Sequence, residues 1–361
     1  MDHDHPSKHR IITLLNSLKE ASKNLQTKTN PFTFLFKPDS KTAIEALLDL
    51  ESKATIIFSS HPNLHNLSHS LTTLKTLIQN LQKSKPHGLK SIIQRQIIAY
   101  KISQASSSLE SEIQIYLDRV IIINLVKSLQ EEENEEEQLQ AIIEFQQRLS
   151  KGFDLEFQDL ILRAKVFTLL ETTLIERFNS KRVREESAMA ISDLVKFNKN
   201  VFVGLVLMGP TVKALISMAS ECSIKVLCLL VGFIRSPLVD EIYSNGEIPS
   251  IVGFLLSIDL CVCVAGLDCV LEVGYIGRRE VIEAMMGQNL VKILMDLQRR
   301  ESCVFDGCVS RFAIQLEVGE GLSSEEKSEA KLEMLRLVKE ASRSDAEFAS
   351  VSAEILWGSS P

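Results

Sequence analysis

A glycine-headed apolar segment recurs three times in the second half of this 361-residue chain, and it constrains the fold more than any other feature. The three copies are LMGPTVKALISM, SNGEIPSIVGFL and MMGQNLVKILMDL. Their glycines, Gly209, Gly246 and Gly287, are 37 and 41 residues apart. A period near ~40 residues is typical of arrays in which helical units stack on one another.

Two earlier segments fit the same register without a glycine. RAKVFTLLETTL places Ala164 45 residues before Gly209, and DRVIIINLVKSL places Arg119 another 45 residues back. We therefore expect about five repeats from residue 110 onward. At each glycine we expect a sharp corner between two helices, because a residue without Cβ adopts left-handed backbone and lets helices approach. Pro210 and Pro249 suit the first turn of the helix that follows.

Gly246 could alternatively open a phosphate-binding loop. Neither of the two common phosphate motifs, G-x-x-x-x-G-K-[ST] and G-x-G-x-x-G, occurs in the chain. Glu247 follows the glycine directly and would repel a phosphate. The corner is therefore the better interpretation, and nothing in the sequence predicts a nucleotide or another cofactor.

The repeated segments resemble a known family. VREESAMAISDLVKF, residues 183–197, resembles the third helix of an armadillo repeat, and the glycine segments resemble its second helix. The chain is most similar in character to plant armadillo-repeat proteins related to the U-box ubiquitin ligases. This resemblance implies an all-α fold: an armadillo-type α-solenoid, a right-handed superhelix, preceded by an N-terminal helical bundle.

Two functions of that family are not supported by the residues. A U-box has a C-P-I core and a tryptophan-containing helix, whereas this chain has no C-P-I and one tryptophan, Trp357. Armadillo import receptors hold basic peptides with ladders of Trp and Asn. Met189, Asp193, Gly232 and Glu272 occupy the corresponding positions here, so the import-receptor groove is absent.

Residues 1–110 are predicted to form the helical bundle, since LNSLKEASKNLQ, TAIEALLDLESKATIIF and LHNLSHSLTTLKTLIQNLQ are amphipathic. From Leu89 to about Leu129 the pattern reads as one long helix or two abutting ones. Residues 1–129 carry 16 Lys or Arg against 10 Asp or Glu, whereas the whole chain has a net charge of −7. This basic part could touch an anionic membrane, but a solvated helical surface is the preferred interpretation because the charge is spread thinly, without a run of Lys or Arg.

The segment QEEENEEEQ, residues 130–138, is predicted to be a solvated acidic loop, with an acidic patch for a basic partner as the alternative. We expect residues 111–320 to hold the repeats and residues 321–361 to form capping helices. His61, His65 and His69 are spaced for a metal or a proton switch, but a buried leucine stripe beside them favours an ordinary exposed face.

The seven cysteines lie between Cys222 and Cys308 in apolar runs, where a thiol packs as a small hydrophobic group. No metal site, disulfide framework, signal peptide or membrane-spanning segment is predicted. We therefore expect a cytoplasmic or nuclear protein, or one that is peripheral at a membrane.

The leading hypothesis is a non-catalytic scaffold or adaptor that binds another protein in the concave groove lined by the third helices, in signalling or ubiquitin-related regulation. The alternatives are a regulatory protein that docks on membranes by its basic bundle and a degenerate relative of the ubiquitin ligases. No enzyme activity and no nucleic-acid binding are predicted. The candidate groove residues are Arg184, Glu185, Asp193, Lys225, Asp268, Glu272, Arg311 and Gln315.

Overall fold

The computed structural model describes residues 5–27, 48–54, 64–83, 89–131, 134–300 and 303–357. Every regular element within these ranges is helical. The chain divides into two compact units, Met1–Ile123 and Asn124–Pro361. Within the described ranges no single helix is long and apolar enough to cross a membrane. The helices Lys199–Met208 and Thr211–Met218 together have that length and apolar composition, but the chain bends by 68° between them.

The first unit is built from the helices His5–Thr27 and His65–Lys83, the first part of Leu89–Glu131, and residues 48–54. Its core consists mainly of leucines and isoleucines. Their spacings, mostly three, four or seven positions, place these side chains on one face of each helix. The fully buried members include Leu15, Leu18, Leu64, Leu71, Leu74, Ile78, Ile102 and Ile113.

The histidine series lies partly outside the described residues. His61 and the side chain of His65 are not described, and His69 is exposed on the helix His65–Lys83. Leu64, Leu67 and Leu71 are buried as the pattern predicted.

In the described part of the second unit the helices form four repeats, each with a first, a second and a longer third helix, where the sequence predicted about five. Repeat 1 comprises Leu155–Arg163, Val166–Ile175 and Lys181–Phe197; repeat 2 comprises Lys199–Met208, Thr211–Met218 and Glu221–Ile234; repeat 3 comprises Ser236–Ser244, Ile248–Gly253 and Leu260–Ile276; repeat 4 comprises Arg279–Gly287, Leu290–Gln298 and Cys308–Val318.

The repeats stack through their third helices, each of which contacts the third helix of the next repeat. The helix Glu135–Leu149 packs on the third helix of repeat 1 and extends this row at its N-terminal end. Ser324–Ala341 and Asp345–Trp357 pack on repeat 4 at the other end. Since no unit of this size buries its apolar face alone, stacking creates one continuous core. The predicted armadillo-type α-solenoid is confirmed.

The corners between first and second helices use different residues from repeat to repeat. Gly246 has φ +72°, the left-handed conformation that its sequence position predicted. In repeats 1 and 4 the left-handed residues are Lys165 and Asn289, so Gly287 is not the corner residue. Gly209 has φ −95° and serves a close approach instead, because a Cβ there would overlap the carbonyl oxygen of Leu205 and the carboxylate of Glu171 from repeat 1.

Two sequence interpretations differ from the structure. Residues 130–138 are mostly helical: Leu89–Glu131 runs into the acidic segment and Glu135–Leu149 starts inside it. Asn134 caps the helix Glu135–Leu149 by accepting a hydrogen bond from the N–H of Glu136. Glutamates in the first turn of a helix are favoured by the helix dipole. Arg119 lies inside Leu89–Glu131, so the first of the aligned segments contains no corner.

Candidate functional site

The exposed side of the third-helix row, here called the third-helix face, carries most of the predicted groove residues. Within each third helix the exposed and half-buried positions recur every third or fourth residue, as they do when one side of a helix is open. Glu185, Asp193, Lys225, Asp268, Glu272, Arg311 and Gln315 all belong to these positions.

Arg184 is the exception among the predicted residues. Its Nε donates a hydrogen bond of 2.9 Å to the carbonyl of Leu174, at the end of the second helix of its own repeat. The guanidinium therefore joins two helices of repeat 1.

Three of the cations on the third-helix face already have partners. Lys225 lies 2.6 Å from Glu221, and Arg311 lies 3.8 Å from Asp268 of the preceding repeat. Arg182, which the sequence analysis did not select, lies 2.9 Å from Glu136. None of these side chains is free to act as an unopposed positive centre.

A cavity of about 200 Å³ opens on the N-terminal part of this face. It is formed by the helix Glu135–Leu149, the third helix of repeat 1 and the start of the third helix of repeat 2. Three carboxylates line it, Glu136, Glu185 and Glu186, with one guanidinium, that of Arg182. The acidic segment thus contributes to the site as the first turn of a helix, in line with the acidic-patch alternative.

Two half-buried thiols on the face have raised pKa values, and carboxylates contribute to the shifts after burial. Burial, with Glu185 and Glu186 next in importance, raises the pKa of Cys222 to about 11. Burial, followed by Glu272 and Asp268, raises the pKa of Cys228 to about 12. Carboxylates of repeats 1 and 3, on either side of repeat 2, therefore lie close enough to these thiols to oppose their ionisation.

The centre of the face lies between the acids of repeats 1 and 3. At Gly232 a Cβ would lie 3.3 Å from Oε1 of Glu272, so the missing side chain makes room for that carboxylate. Asp193 is half-buried, and burial raises its pKa, with Lys196 opposing the shift and Glu186 adding to it. A carboxylate held partly out of water gains more from a cationic partner than a solvated one.

A larger cavity, about 610 Å³, lies elsewhere, between the first helix of repeat 4 and the helix Ser324–Ala341. Its acids are already partnered: Arg279 lies 2.8 Å from Glu283 and 3.0 Å from Glu329, and Arg336 lies 2.6 Å from Glu333. This cavity is confined to one repeat and the helix that follows it, whereas the third-helix face continues over the helix Glu135–Leu149 and four repeats. The third-helix face is therefore the better candidate for binding an extended ligand.

Metal chemistry has no evident centre in the part of the chain that the structure describes. No group of three or more His, Cys, Asp or Glu side chains there is arranged to hold an ion. All seven cysteines are free thiols.

No protein-family model matches the chain, and no curated protein sequence does either. Three designed armadillo repeat proteins are similar in structure. The first is 19% identical over 64% of this chain and 99% of its own length, with a TM-score of 0.44. A computationally designed armadillo protein for modular peptide recognition has the same identity and coverage, with a TM-score of 0.45.

A third designed armadillo protein, solved in complex with the peptide (KR)4, is 18% identical over 65% of this chain and 98% of its own, with a TM-score of 0.46. These similarities are distant, so the assignment of the fold rests on the repeats of this chain.

Proposed function

We propose that this protein is a non-catalytic scaffold whose third-helix face holds a lysine- or arginine-bearing segment of another protein. The observation that carries the proposal is the excess of carboxylates on this face. Eleven acids and six cations are exposed or half-buried on the helix Glu135–Leu149 and the four third helices: Glu135, Glu136, Glu137, Glu144, Glu185, Glu186, Asp193, Glu221, Asp268, Glu272 and Glu317, against Lys181, Arg182, Arg184, Lys196, Lys225 and Arg311.

The arrangement of the charges favours an extended ligand over a compact one. The carboxylates come from the helix Glu135–Leu149 and from the third helices of all four repeats, so they follow the direction in which the repeats stack. A chain running along this direction would meet a new repeat at regular intervals, as solenoid surfaces allow. Complementary charge would add mainly to the association rate and to specificity.

A scaffold of this kind would work in the cytoplasm or nucleus by positioning its partner. The resemblance to the relatives of U-box ligases suggests ubiquitin-related regulation or signalling as its setting.

The test is a binding titration of the full chain with three fluorescent octapeptides: alternating Lys and Arg, alternating Asp and Glu, and Gly and Ser. We expect measurable binding of the basic peptide alone, and weaker binding as salt shortens the range of the interaction. Equal binding of all three peptides, or preference for the acidic one, would refute the proposal.

A pair of matched variants localises the interaction. Replacing Glu136, Glu185 and Glu186 by Gln removes three charges from the cavity on the third-helix face. Exposed charge pairs contribute about 0.2–1 kcal/mol each, so the basic peptide should bind about ten-fold more weakly. The control replaces three glutamates of the larger cavity, Glu283, Glu329 and Glu333, by Gln, and should bind the peptide as the parent does.

A further inference from the structure

The helix Leu89–Glu131 exposes large apolar side chains near its start, in the first unit. Ile93, Ile97 and Tyr100 are 56, 51 and 71% exposed. Their spacing of four and three residues places all three on one side of the helix, here called the Ile93 face. A group of large apolar side chains exposed side by side is typical of a surface that binds a protein or a membrane.

The Ile93 face is separate from the core of its unit. Ala99, Ile102 and Ser106 are buried on the same helix, and their positions put them on the side opposite Ile93. The helix is thus apolar on two sides, one packed and one open.

The stretch of sequence that contains the face has no negative side chain. From Ser52 to Leu109 the chain contains no Asp or Glu. The same stretch contains seven cations: Lys53, Lys75, Lys83, Lys85, Lys90, Arg95 and Lys101. Two of these, Lys53 and Lys75, are paired with Asp49 and Glu51. Lys90 and Lys101 are exposed, three residues before Ile93 and four residues after Ile97, so each lies one helical turn from the apolar stripe.

We propose that the Ile93 face docks on the surface of an anionic membrane. Apolar side chains flanked by lysines, with a tyrosine among them, are the chemistry of a helix lying in the headgroup region. The absence of acids over the whole stretch removes the repulsion that anionic lipid would otherwise meet. This inference is independent of the third-helix face and of the ligand proposed there.

The experiment is sedimentation of the full chain with vesicles of phosphatidylcholine alone and with vesicles of equal parts phosphatidylcholine and phosphatidylserine. We expect the chain to pellet with the anionic vesicles only, and to be released between about 0.1 M and about 1 M salt as the Debye length falls from about 10 Å to about 3 Å. Pelleting with both kinds of vesicle alike, or with neither, would overturn the proposal.

Two variants separate the apolar contribution from the charge. Replacing Ile93, Ile97 and Tyr100 by Gln should lower the affinity for anionic vesicles at least about ten-fold, because the inserted surface is lost. Replacing Lys90 and Lys101 by Gln should lower it by about five-fold for each lysine. Full helical circular dichroism in each variant shows that the first unit still folds.

Matched controls come from the second unit. Met208, Ile258 and Leu332 are 91, 104 and 68% exposed, and their replacement by Gln removes a similar apolar surface. This control should bind vesicles as the parent does. If it loses as much affinity as the Ile93 variant, or if the Ile93 variant keeps full affinity, the assignment of the membrane to this face is wrong. Vesicle-independent capture of a protein by the Ile93 face, with no vesicle binding, would also contradict it.

Discussion

Two glycines in helices should respond in opposite directions to the same substitution. Gly266 is buried in the third helix of repeat 3, and a Cβ there would lie 2.7 Å from Cβ of Phe254 and 3.3 Å from its carbonyl carbon. Gly204, in the first helix of repeat 2, has nothing within 4 Å of such a Cβ. Replacement by Ala tests how tightly the third helix packs on the segment that precedes it.

The size of each effect follows from these distances. Alanine in an open helical site stabilises by about 0.5–1 kcal/mol, because glycine loses more backbone entropy on folding. Gly266→Ala has the same gain, but overpacking against a backbone atom costs about 1–3 kcal/mol. We therefore expect Gly204→Ala to raise the free energy of unfolding and Gly266→Ala to lower it, with a gap of about 1–3 kcal/mol between them.

Urea or thermal unfolding followed by far-UV circular dichroism measures the gap. For a unit of this length each kcal/mol shifts the melting temperature by about 2–4 °C. Repeat arrays can unfold in stages, so the transition of the second unit is the one to compare. If Gly266→Ala is as stable as Gly204→Ala, the helix packing within repeat 3 is looser than described and the reasoning fails.

The remaining predictions concern an ion pair and the thiols. Arg299 lies 2.7 Å from Glu347 and, as the largest cause, lowers the pKa of that carboxyl to about 2. A lowered pKa stabilises the folded state above the carboxyl's ordinary pKa and loses this effect as the pH falls toward 2. Glu347→Gln should therefore cost about 1 kcal/mol at neutral pH, and this cost should shrink as the pH falls through about 2, as measured by urea titration at each pH. In timed alkylation read by mass spectrometry, exposed Cys261 should react before Cys222 and Cys228, whose raised pKa values leave little thiolate. Equal alkylation rates would contradict the burial of Cys222 and Cys228 and their raised pKa values.

The repeat register was predictable only in part, because Gly246 forms a left-handed corner whereas the aligned Gly209 and Gly287 do not. Gly246 adopts the left-handed conformation that a glycine before a helix-starting segment suggests. The corners at Lys165 and Asn289 were not predictable in detail, because residues with a Cβ reach that conformation only where the surrounding helices hold them. Gly209 was recognised as structural, but its reason, the carboxylate of Glu171, comes from a different repeat.

The site was predictable only in outline. The third helices were recognised from their apolar pattern, and with them Glu185, Asp193 and Glu272 as open positions. Glu136 was missed as a site residue because a run of glutamates suggests a loop. In the structure Asn134 is the N-cap of the helix Glu135–Leu149, and Glu136 lies in its first turn. Contacts between residues some 45 positions apart, such as Arg182 with Glu136, follow from stacking and leave no local pattern in the sequence.

A charge-swap titration distinguishes binding at the third-helix face from an effect of net charge. Glu185 and Glu186 on the third-helix face are replaced together by Arg, and the control replaces Glu283 and Glu329 of the other cavity by Arg. We expect the first variant to lose affinity for the basic octapeptide and to bind the acidic one, while the control keeps the parent's preference for the basic peptide. If both variants change preference to the same extent, net charge governs binding and the third-helix face is not the site.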